Sequence, residues 1–585
     1  MRKHIHSGAV LLAFAFAACG GGGSSNSPLP GGNGGATGTL SISITIPAKR
    51  AGAIRRPHFV SPSTQSMSIA ITGPTDVNPP PVNFTPSSPN CTVGSNGLVC
   101  QTQVTQLQPG GYTATISTFD QQNATGSVLS TAQTVAFTIK SGITNAVLLT
   151  LSGVPRSIVV TPASAVNTIF TGGTSYAIIG TLIHTFTVEA LDAGGNAIVG
   201  QGAPVFSVAQ TSGTFVPVLV QPSTTAPNAI GVAPPPNWPS AFTSAALTVS
   251  ASFAGQATNG CAISGAVCSA QITISPRELM VVSDDSGALS TLHVYNITSG
   301  TPVLVTSLSI TGGTNVAKFD PTGNLFAGPN PVHATNPVEF AAPTYTTPST
   351  VTVLGKLGDF FFSPDGTTMY AFDLGKTGIQ LYNIAAGTLN NPIVGPPLPL
   401  PGKLTVSFDG SILYDADEID NFVLPIKTAH NGIQPPLPLP ASCTPKGIAI
   451  SPDGNRLFAT CNGNNNLAIV LVSTGATTTV ATGLAPLVPA YDPVTADVCV
   501  PNSTSGSATL IHDNGNGSGS GVATLVVGTT PRAAAMDANG NCWVANFGSG
   551  TGNGTVSEFN VQSHSVVTTP LASGIGNAIY INILP

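Results

Sequence analysis

The chain has 585 residues, of which 17 are basic and 23 acidic, giving a net charge of −6 at neutral pH. Only 7% of the residues are charged, whereas 42% are hydrophobic, and there are 65 glycines and 50 prolines. The apolar content excludes an intrinsically disordered chain, and the scarcity of basic residues excludes an electrostatic nucleic-acid binder. Because Ser, Thr, Val and Gly dominate and long helix-forming runs are missing, the sequence predicts an all-β protein with several domains.

The N-terminus has the pattern of an export signal. A short cationic start precedes the apolar stretch Ala9–Ala18, which is too short to span a bilayer. The stretch ends in Phe16-Ala17-Ala18-Cys19, which resembles the lipobox of bacterial lipoprotein signals. This resemblance implies removal of the signal peptide, residues 1–18, and attachment to the membrane through a lipidated Cys19. Since Gly20 follows the cysteine, the resemblance further implies an outer-membrane lipoprotein of the cell envelope, facing the periplasm or the surface.

Two β-sandwich domains are predicted after a Gly- and Ser-rich tether at residues 19–38. In the first, residues 39–153, apolar and polar residues alternate in short runs that are typical of half-buried strands. In the second, residues 154–275, the stretch from 185 to 208 resembles the bacterial Ig-like repeats of invasin-type surface proteins, in which a strand ends in an Asp-x-x-Gly-Asn turn. Neither segment has a catalytic constellation, so we expect two Ig-like sandwiches that act as spacers.

Eight cysteines remain besides Cys19, an even number that suits disulfides in an exported chain. Hairpin symmetry and the expected strand order predict the pairs Cys91–Cys100, Cys261–Cys268 and Cys443–Cys461. Cys499 and Cys542 lie on equivalent sheet faces if the turns are aligned, but on opposing faces if the following Asn residues are aligned, so their pairing stays open. Zinc binding is not expected, because no CxxC or Cys/His cluster occurs.

Residues 276–585 contain a repeat of 41 to 45 residues, in which an Asp- and Gly-containing turn separates two apolar strands and two further strands follow. Four strands with this period are typical of one β-propeller blade. Arg277–Leu308 provides three strands without a first one, and Asn577–Leu584 is a single strand without a hairpin after it. We therefore predict a seven-bladed propeller that is closed by the C-terminal strand, which protects the sheet edges.

The Ser-Pro-Asp-Gly turn, as at 451–454, and a second strand that ends in Asn resemble the YVTN/lactonase-like seven-bladed β-propellers. The similarity extends over residues 276–585 and implies the same ring-shaped fold. Related-looking propellers include lactonases and metal-dependent gluconolactonase-like hydrolases. Their catalytic pattern has no residue-by-residue counterpart in this chain, so the resemblance implies the fold more directly than an activity.

Each predicted blade has an Asp or Asn at the end of its second strand, on the face where propellers commonly bind ligands. The candidate ligand-binding residues are Asp284, Asn330, Asp373, Asp417, Asn462, Asn502 and Asn546. As an alternative, these short polar side chains hydrogen-bond the backbone of their own turns.

Four carboxylates crowd into six positions, at Asp415, Asp417, Glu418 and Asp420. Such crowding is repulsive unless the charges are solvated or neutralised by a hard cation. These four residues are therefore candidate metal ligands, and Ca²⁺ is the cofactor that their chemistry would select. No EF-hand loop is present, because the required Gly and distal Glu are missing.

Our leading functional hypothesis is a non-catalytic, monomeric, lipid-anchored envelope protein whose propeller binds a protein, glycan or small ligand. The alternative is a metal-dependent lactonase or gluconolactonase-like hydrolase at the channel mouth, with Asp284, Asp373, Asp417 and Asn462 as ligands. In a third hypothesis the Ig-like half performs adhesion or scaffolding.

Overall fold

The computed structural model describes most of the chain after the N-terminal tether. The described residues are 36–48, 60–95, 97–147, 149–164, 168–200, 202–234, 244–253, 263, 265–285, 289–311, 313–329, 336–352, 354, 357–373, 378–394, 402–550, 552–566, 571 and 574–584. Within them the protein is all-β, with one 3-10 turn over Gln122–Ala124 and no α-helix. In these ranges no helix has the length and apolarity needed to cross a membrane.

The first nine strands form two facing sheets. They are β1 (Gly38–Pro47), β2 (Ser66–Thr72), β3 (Val82–Asn83), β4 (Cys91–Gly94), β5 (Gly97–Leu107), β6 (Gly110–Phe119), β7 (Val128–Ile139), β8 (Thr144–Ala146) and β9 (Ser152–Gly153). The sheet orders are β4-β5-β1-β8 and β3-β2-β6-β7-β9. The alternation in β1 buries Leu40, Ile42, Ile44 and Ile46 in a core shared by both sheets, as its sequence pattern predicted.

The next nine strands form a second pair of sheets with a core of their own. They are β10 (Ser157–Pro162), β11 (Thr168–Gly172), β12 (Ser175–Ile178), β13 (His184–Leu191), β14 (Val205–Gly213), β15 (Val218–Val220), β16 (Ala229–Ala233), β17 (Ala245–Ser252) and β18 (Ser269–Pro276). The sheet orders are β10-β13-β16-β15 and β11-β12-β18-β17-β14. The turn after β13 is held by the Asp192 carboxylate, which accepts a hydrogen bond from the Asn196 backbone N–H at 2.8 Å.

The remaining strands form seven sheets within the described residues. The first three sheets contain β19 (Leu279–Asp284), β20 (Leu289–Asn296) and β21 (Val303–Thr311); β22 (Thr314–Phe319), β23 (Leu325–Pro329), β24 (Val338–Phe340) and β25 (Pro348–Thr350); and β26 (Leu357–Phe362), β27 (Thr368–Asp373), β28 (Ile379–Asn383) and β29 (Thr388–Ile393). The fourth and fifth contain β30 (Lys403–Val406), β31 (Ile412–Asp417), β32 (Phe422–Lys427), β33 (Gly432–Ile433) and β34 (Leu437–Pro438); and β35 (Pro445–Ile450), β36 (Arg456–Cys461), β37 (Asn466–Leu471) and β38 (Thr477–Ala481). The sixth and seventh contain β39 (Ala490–Asp492), β40 (Asp497–Asn502), β41 (Ser507–Asp513) and β42 (Gly519–Val526); and β43 (Pro531–Met536), β44 (Asn541–Asn546), β45 (Thr555–Asn560) and β46 (Ser565–Val566). The final strand of the described chain is β47 (Ala578–Leu584).

The C-terminal strand belongs to the first of these seven sheets. β47 pairs antiparallel with β19, and Met280 lies opposite Ile583 and Val282 opposite Ile581. The order β47-β19-β20-β21 therefore matches the order of first to fourth strands in the other sheets. This is the strand pairing that the sequence predicted for Asn577–Leu584.

The seven sheets have a β-propeller-like arrangement. Their first strands contact one another in the cyclic order β47, β22, β26, β30, β35, β39, β43 and back to β47. A separate hydrophobic core lies between each pair of neighbouring sheets, including the seventh and the first. Burial of both faces of the inner strands, as in β36 and β40 where every residue is buried, explains why these strands are largely apolar on both sides instead of alternating.

The second sandwich packs on the turns that join first to second strands. The Thr181 N–H donates to the Pro321 carbonyl at 3.0 Å, Ile179 belongs to the core between the first and second sheets, and Ala538 belongs to the sandwich core. Since these turns lie at one end of the strands, the sandwich packs against that end of the sheets. The loops between second and third strands lie at the opposite end of the strands.

Three disulfides have both partners among the described residues: Cys91–Cys100, Cys443–Cys461 and Cys499–Cys542. The first two were predicted. The third joins the sixth and seventh sheets across their shared core, as the alignment of Asn502 with Asn546 implies. Cys268 is disulfide-bonded, but Cys261 lies outside the described residues, so the Cys261–Cys268 pair stays a prediction. Cys19 also lies outside them.

Candidate functional site

The Asp and Asn candidates do lie at the ends of the second strands, but most are buried. Asp284, Asp373, Asp417, Asn502 and Asn546 are each at most 5% exposed, so they do not form an open ring of ligands. Asn462 is partly exposed, and its side-chain amide donates to the Pro486 carbonyl at 3.2 Å. Asn330 lies outside the described residues.

Asn502 and Asn546 have the same role in the sixth and seventh sheets. The amide of Asn502 donates to the hydroxyls of Ser507 and Thr509 at 3.1 and 3.0 Å. The amide of Asn546 donates to Thr555 and Ser557 at 3.1 and 3.0 Å. Each Asn thus joins its second strand to the third strand of the same sheet, which accounts for the residue type without a ligand.

The aspartates at two equivalent positions accept hydrogen bonds from backbone N–H groups. Asp284 accepts from Gly576 at 2.8 Å and from Asn577 at 2.7 Å, and so fastens the segment that leads into β47. Asp417 accepts from Ile419 and Asp420 at 2.8 and 2.9 Å, which closes the loop after β31. The structural alternative raised from the sequence, a hydrogen bond to the residue's own turn, therefore describes Asp417, whereas Asp284 bonds a segment that is distant in the chain.

The four crowded carboxylates are not arranged as a set of metal ligands. Among the described residues no group of three or more His, Cys, Asp or Glu side chains could hold a metal ion. Asp415 and Asp417 are buried, Asp420 is exposed to solvent, and Glu418 forms an ion pair with Lys446. Lys446, from the neighbouring sheet, thus neutralises part of the negative charge for which the sequence had suggested Ca²⁺.

A buried ion pair occupies the centre of the seven sheets. The Lys318 ammonium donates to the Asp359 carboxylate at 2.9 Å and to the Phe360 carbonyl at 2.6 Å. It also lies over the ring of Tyr580, 5.7 Å from its centroid. Asp359 accepts a further bond from the Leu404 N–H at 3.1 Å, so this one pair connects the first strands of four consecutive sheets.

The electrostatics of this centre follow from burial and the nearby lysines. Burial alone would raise the pKa of Asp359, but Lys318 and Lys403 together hold that pKa below its ordinary value. No such cation compensates Asp415, whose pKa is raised well above its usual range by burial and then by Asp417 and Asp359. The raised pKa of Asp415 favours its protonated form relative to an ordinary carboxyl group.

Together these residues form what we call the central charge cluster: Lys318, Asp359, Lys403, Asp415, Asp417, Glu418 and Lys446. Two buried oxygens in it, Oδ1 of Asp415 and Oδ2 of Asp417, have no hydrogen-bond partner. Burial and the proximity of Lys403 lower the pKa of Lys446. In a chain with so few charges, this convergence from four sheets identifies the centre of the ring, at the end away from the sandwich, as the candidate site.

The sequence indicated three acidic residues of this cluster, Asp415, Asp417 and Glu418, and missed Asp359 and the three lysines. Lys318, Lys403 and Lys446 each lie in a first strand, in a chain with only 17 basic residues. Lysine in a strand that is otherwise apolar was therefore an available signal. Its partners are 41 residues away in the case of Lys318–Asp359, and local pattern does not reveal such distant contacts.

No protein-family model and no curated protein matches this chain. Among solved structures, it is similar to a putative 6-phosphogluconolactonase from Bacteroides uniformis, with 13% identity, a TM-score of 0.44, and 53% of this chain and 99% of that chain covered. It is also similar to a periplasmic gluconolactonase from Pseudomonas aeruginosa, with 14% identity, a TM-score of 0.43, and coverage of 53% and 99%. Apo AztD from Citrobacter koseri gives 13% identity, a TM-score of 0.40, and coverage of 53% and 98%.

Proposed function

We propose that the chain is a lipid-anchored envelope protein in which a closed seven-bladed β-propeller, residues 276–585, binds a small polar ligand at a non-catalytic site, the central charge cluster. The observation that carries this proposal is the pair of buried, unpartnered carboxyl oxygens of Asp415 and Asp417 beside Lys403 and Lys446. Unsatisfied polar groups at this depth are rare and call for a partner.

Closure of the ring is supported by strand pairing and packing. β47 pairs with β19 along its length, and the core between the seventh and first sheets contains residues of both, such as Met280 and Trp543. A single strand that completes the first sheet leaves no sheet edge exposed at the junction. The same observations support a count of seven blades, because no other described strand pairs with β19 on that side.

Access to the proposed site is from the end opposite the sandwich. Lys318 is the second-last residue of β22, close to the turn face on which the sandwich packs, and its ion pair with Asp359 fills the centre there. Lys403 and Asp417 lie at the other end, at the start of a first strand and the end of a second strand. A ligand would therefore enter at the uncovered face and stop at the Lys318–Asp359 pair.

The chemistry of the cluster suits a ligand with hydroxyl or carboxylate groups. The raised pKa of Asp415 favours the protonated form, which is able to donate, and the second oxygen of Asp417 is able to accept. The Lys403 ammonium forms no ion pair with a described residue. Charge-assisted hydrogen bonds of this kind are stronger than neutral ones. Sugars and sugar acids carry this combination of groups.

We expect the two sandwiches to be Ig-like spacers. In the first, the Tyr112 hydroxyl at the start of β6 donates to the Gln108 carbonyl at 2.9 Å. This contact has the form of the tyrosine corner found in Ig-like folds. It supports an Ig-like fold for the first proposed domain, 39–153, and we propose the same spacer role for the second, 154–275.

Calorimetric titration of the full chain tests the binding site. Gluconate, galacturonate, glucose and N-acetylglucosamine serve as probes, with wild type, Asp417→Asn and Lys446→Ala as proteins. We expect at least one probe to bind wild type and to bind both variants at least about tenfold more weakly, since each loses a charge-assisted contact. Asp420→Asn is the matched control, because Asp420 is exposed and three residues away. Equal binding by Asp417→Asn and wild type would remove the proposed site.

A metal-dependent lactonase is the alternative, and no set of ligands among the described residues favours it. Metal analysis of the purified chain and of Asp417→Ala distinguishes the two, together with hydrolysis of glucono-δ-lactone. We expect less than stoichiometric metal in both samples and no metal-dependent turnover. Stoichiometric metal that disappears in Asp417→Ala would establish the hydrolase instead.

Membrane attachment is tested separately through Cys19. We expect the wild-type chain in the membrane fraction of a bacterial expression host, with a diacylglyceryl modification on Cys19 by mass spectrometry. Cys19→Ser is expected in the soluble fraction. An unmodified Cys19, with the chain still cleaved and exported, would contradict lipid anchoring and leave the propeller proposal unaffected.

A further inference from the structure

Three residues with the chemistry of a nucleophilic serine site lie on one face of the first C-terminal sheet. His293 in β20 is opposite Val282 of β19 and opposite Ser307 of β21. Asp284 follows Val282 by two positions and so lies on the same face of β19. The three side chains thus come from three consecutive strands and are neighbours across the sheet.

The interatomic distances place His293 between Ser307 and Asp284. The His293 Nδ1 atom is 3.2 Å from the Ser307 hydroxyl oxygen, and its Nε2 atom is 4.0 Å from Oδ2 of Asp284. Nε2 of His293 is buried and has no hydrogen-bond partner. The Asp284 carboxylate itself is oriented by the backbone N–H groups of Gly576 and Asn577.

Solvent exposure increases from Asp284 to Ser307, as expected if the serine has to be reached by a substrate. Asp284 and His293 are 5% and 6% exposed, whereas Ser307 is exposed to solvent. A substrate can therefore reach the serine while the imidazole and the carboxylate are shielded from water. Ser309 offers a comparison within the same strand, because it is exposed on the same face but lies opposite Thr291 instead of a histidine.

We propose that Ser307 is a nucleophile that His293 activates and Asp284 positions, and that it accepts the acyl group of small, exposed esters. The Ser307 oxygen forms a bond to the acyl carbon while its proton passes to Nδ1 of His293. The carboxylate of Asp284 stabilises the imidazolium that results. The C–O bond of the ester then breaks, the alcohol leaves with the proton from His293, and water hydrolyses the serine ester to regenerate the hydroxyl.

This site is separate from the central charge cluster and from the proposed ligand. It lies on the second, third and fourth strands of the first sheet, whereas the cluster consists of residues from the second to the fifth sheets. Loss of one site therefore does not entail loss of the other.

Labelling with a fluorophosphonate probe tests the proposal on the full chain, with peptide mass spectrometry to locate the modified serine. We expect modification of Ser307 in wild type and in Ser309→Ala. In His293→Asn the labelling rate of Ser307 is expected to fall about 10²-fold, the usual contribution of a general base.

Two outcomes overturn the proposal: no modification of Ser307 in wild type, or equal labelling rates in wild type and His293→Asn. A circular dichroism spectrum and thermal transition that match wild type establish that His293→Asn is folded. Hydrolysis of 4-nitrophenyl acetate that is lost in Ser307→Ala and retained in Ser309→Ala provides the second measurement, independent of the probe.

Discussion

Buried carboxyl groups occur in two regions of the propeller-like half, and their surroundings give them opposite charge states. At the centre, Lys318 lies 2.9 Å from Asp359, and the lysines hold the pKa of Asp359 below its ordinary value. At the contact between the first and seventh sheets, Glu278 accepts from the Ala538 N–H at 2.7 Å but faces Asp537 and no cation. Burial and Asp537 raise the pKa of Glu278 to about 8.

The comparison teaches that burial alone does not decide whether a carboxyl group is a charged functional element. A lysine from the next sheet keeps Asp359 ionised, whereas Glu278 takes up a proton because none is nearby. Glu558, close to the same contact, behaves like Glu278, since burial and Asp537 raise its pKa to about 7. Five substitutions convert one environment toward the other or disturb their geometry.

The largest effect is expected from Lys318→Ala, which leaves Asp359 buried without its cation. Breaking a buried ion pair in this way costs about 3–5 kcal/mol of unfolding free energy. Chemical denaturation of the full chain measures it, and Lys427→Ala, at an exposed lysine of β32, is the matched control. The double variant Lys318→Met/Asp359→Leu is expected to recover most of the loss. A loss below about 1 kcal/mol in Lys318→Ala would show that the pair is not buried as described.

A smaller effect is expected from pH at the contact between the first and seventh sheets. The pKa of Glu278 is raised from 4.5 to about 8, so the folded state binds the proton more tightly than the unfolded state. Its contribution to stability is full below pH 4.5 and is lost as pH rises through about 8. We expect the free energy of unfolding to fall by roughly 2–4 kcal/mol over this range.

Glu278→Gln should flatten this dependence. Trp543 is 2% exposed and belongs to the core at the same contact, so its fluorescence in a Trp238→Phe background follows unfolding there. The same slope in Glu278→Gln and in the parent protein would assign the pH dependence to other groups.

Gly402→Ala is expected to disturb the central cluster directly. A Cβ atom at this position would lie 2.2 Å from Oδ1 of Asp415 and as close to the Ala416 carbonyl, so the chain must shift. Overpacking of this kind costs about 1–3 kcal/mol. Gly521→Ala is the control, because nothing lies within 4 Å of its Cβ position. Equal melting temperatures for the two variants would contradict the close approach.

The smallest effect is expected from placing a carboxylate in the uncharged part of the ring. Asn546→Asp should cost about 1–2 kcal/mol at pH 8 and less at pH 4, because an unpaired buried carboxyl group is tolerated only when protonated. The reciprocal change Asp417→Asn should cost less than about 1 kcal/mol, since an amide oxygen is still able to accept from the backbone. Thermal denaturation at both pH values separates them, and a larger loss for Asp417→Asn would reverse the comparison.

Local sequence patterns predicted the strands well, because their signals are local. The alternation of Leu40, Ile42, Ile44 and Ile46 depends only on one sheet face being buried, and the recurring turns mark the first hairpin of each sheet. The pairing of β47 with β19 was predicted by counting repeats, since a first strand was missing at one end and present at the other.

The site was predicted less well, because its contacts join different sheets. The Asp and Asn residues were placed correctly along the chain, but whether Asn546 faces a ligand or Thr555 and Ser557 depends on the third strand. The contact of Lys318 with Asp359 depends on how two neighbouring sheets pack. The contact of His293 with Ser307 depends on the register between two strands of one sheet. Composition and spacing do not specify that register.

The most direct measurement is hydrogen–deuterium exchange of the C-terminal strand in the intact chain. If β47 completes the first sheet, the hydrogen-bonded amides within Ala578–Leu584 should exchange as slowly as those of β22, which packs against it. Rapid exchange of these amides, at the rate of an unstructured tail, would contradict a ring that the C-terminal strand closes.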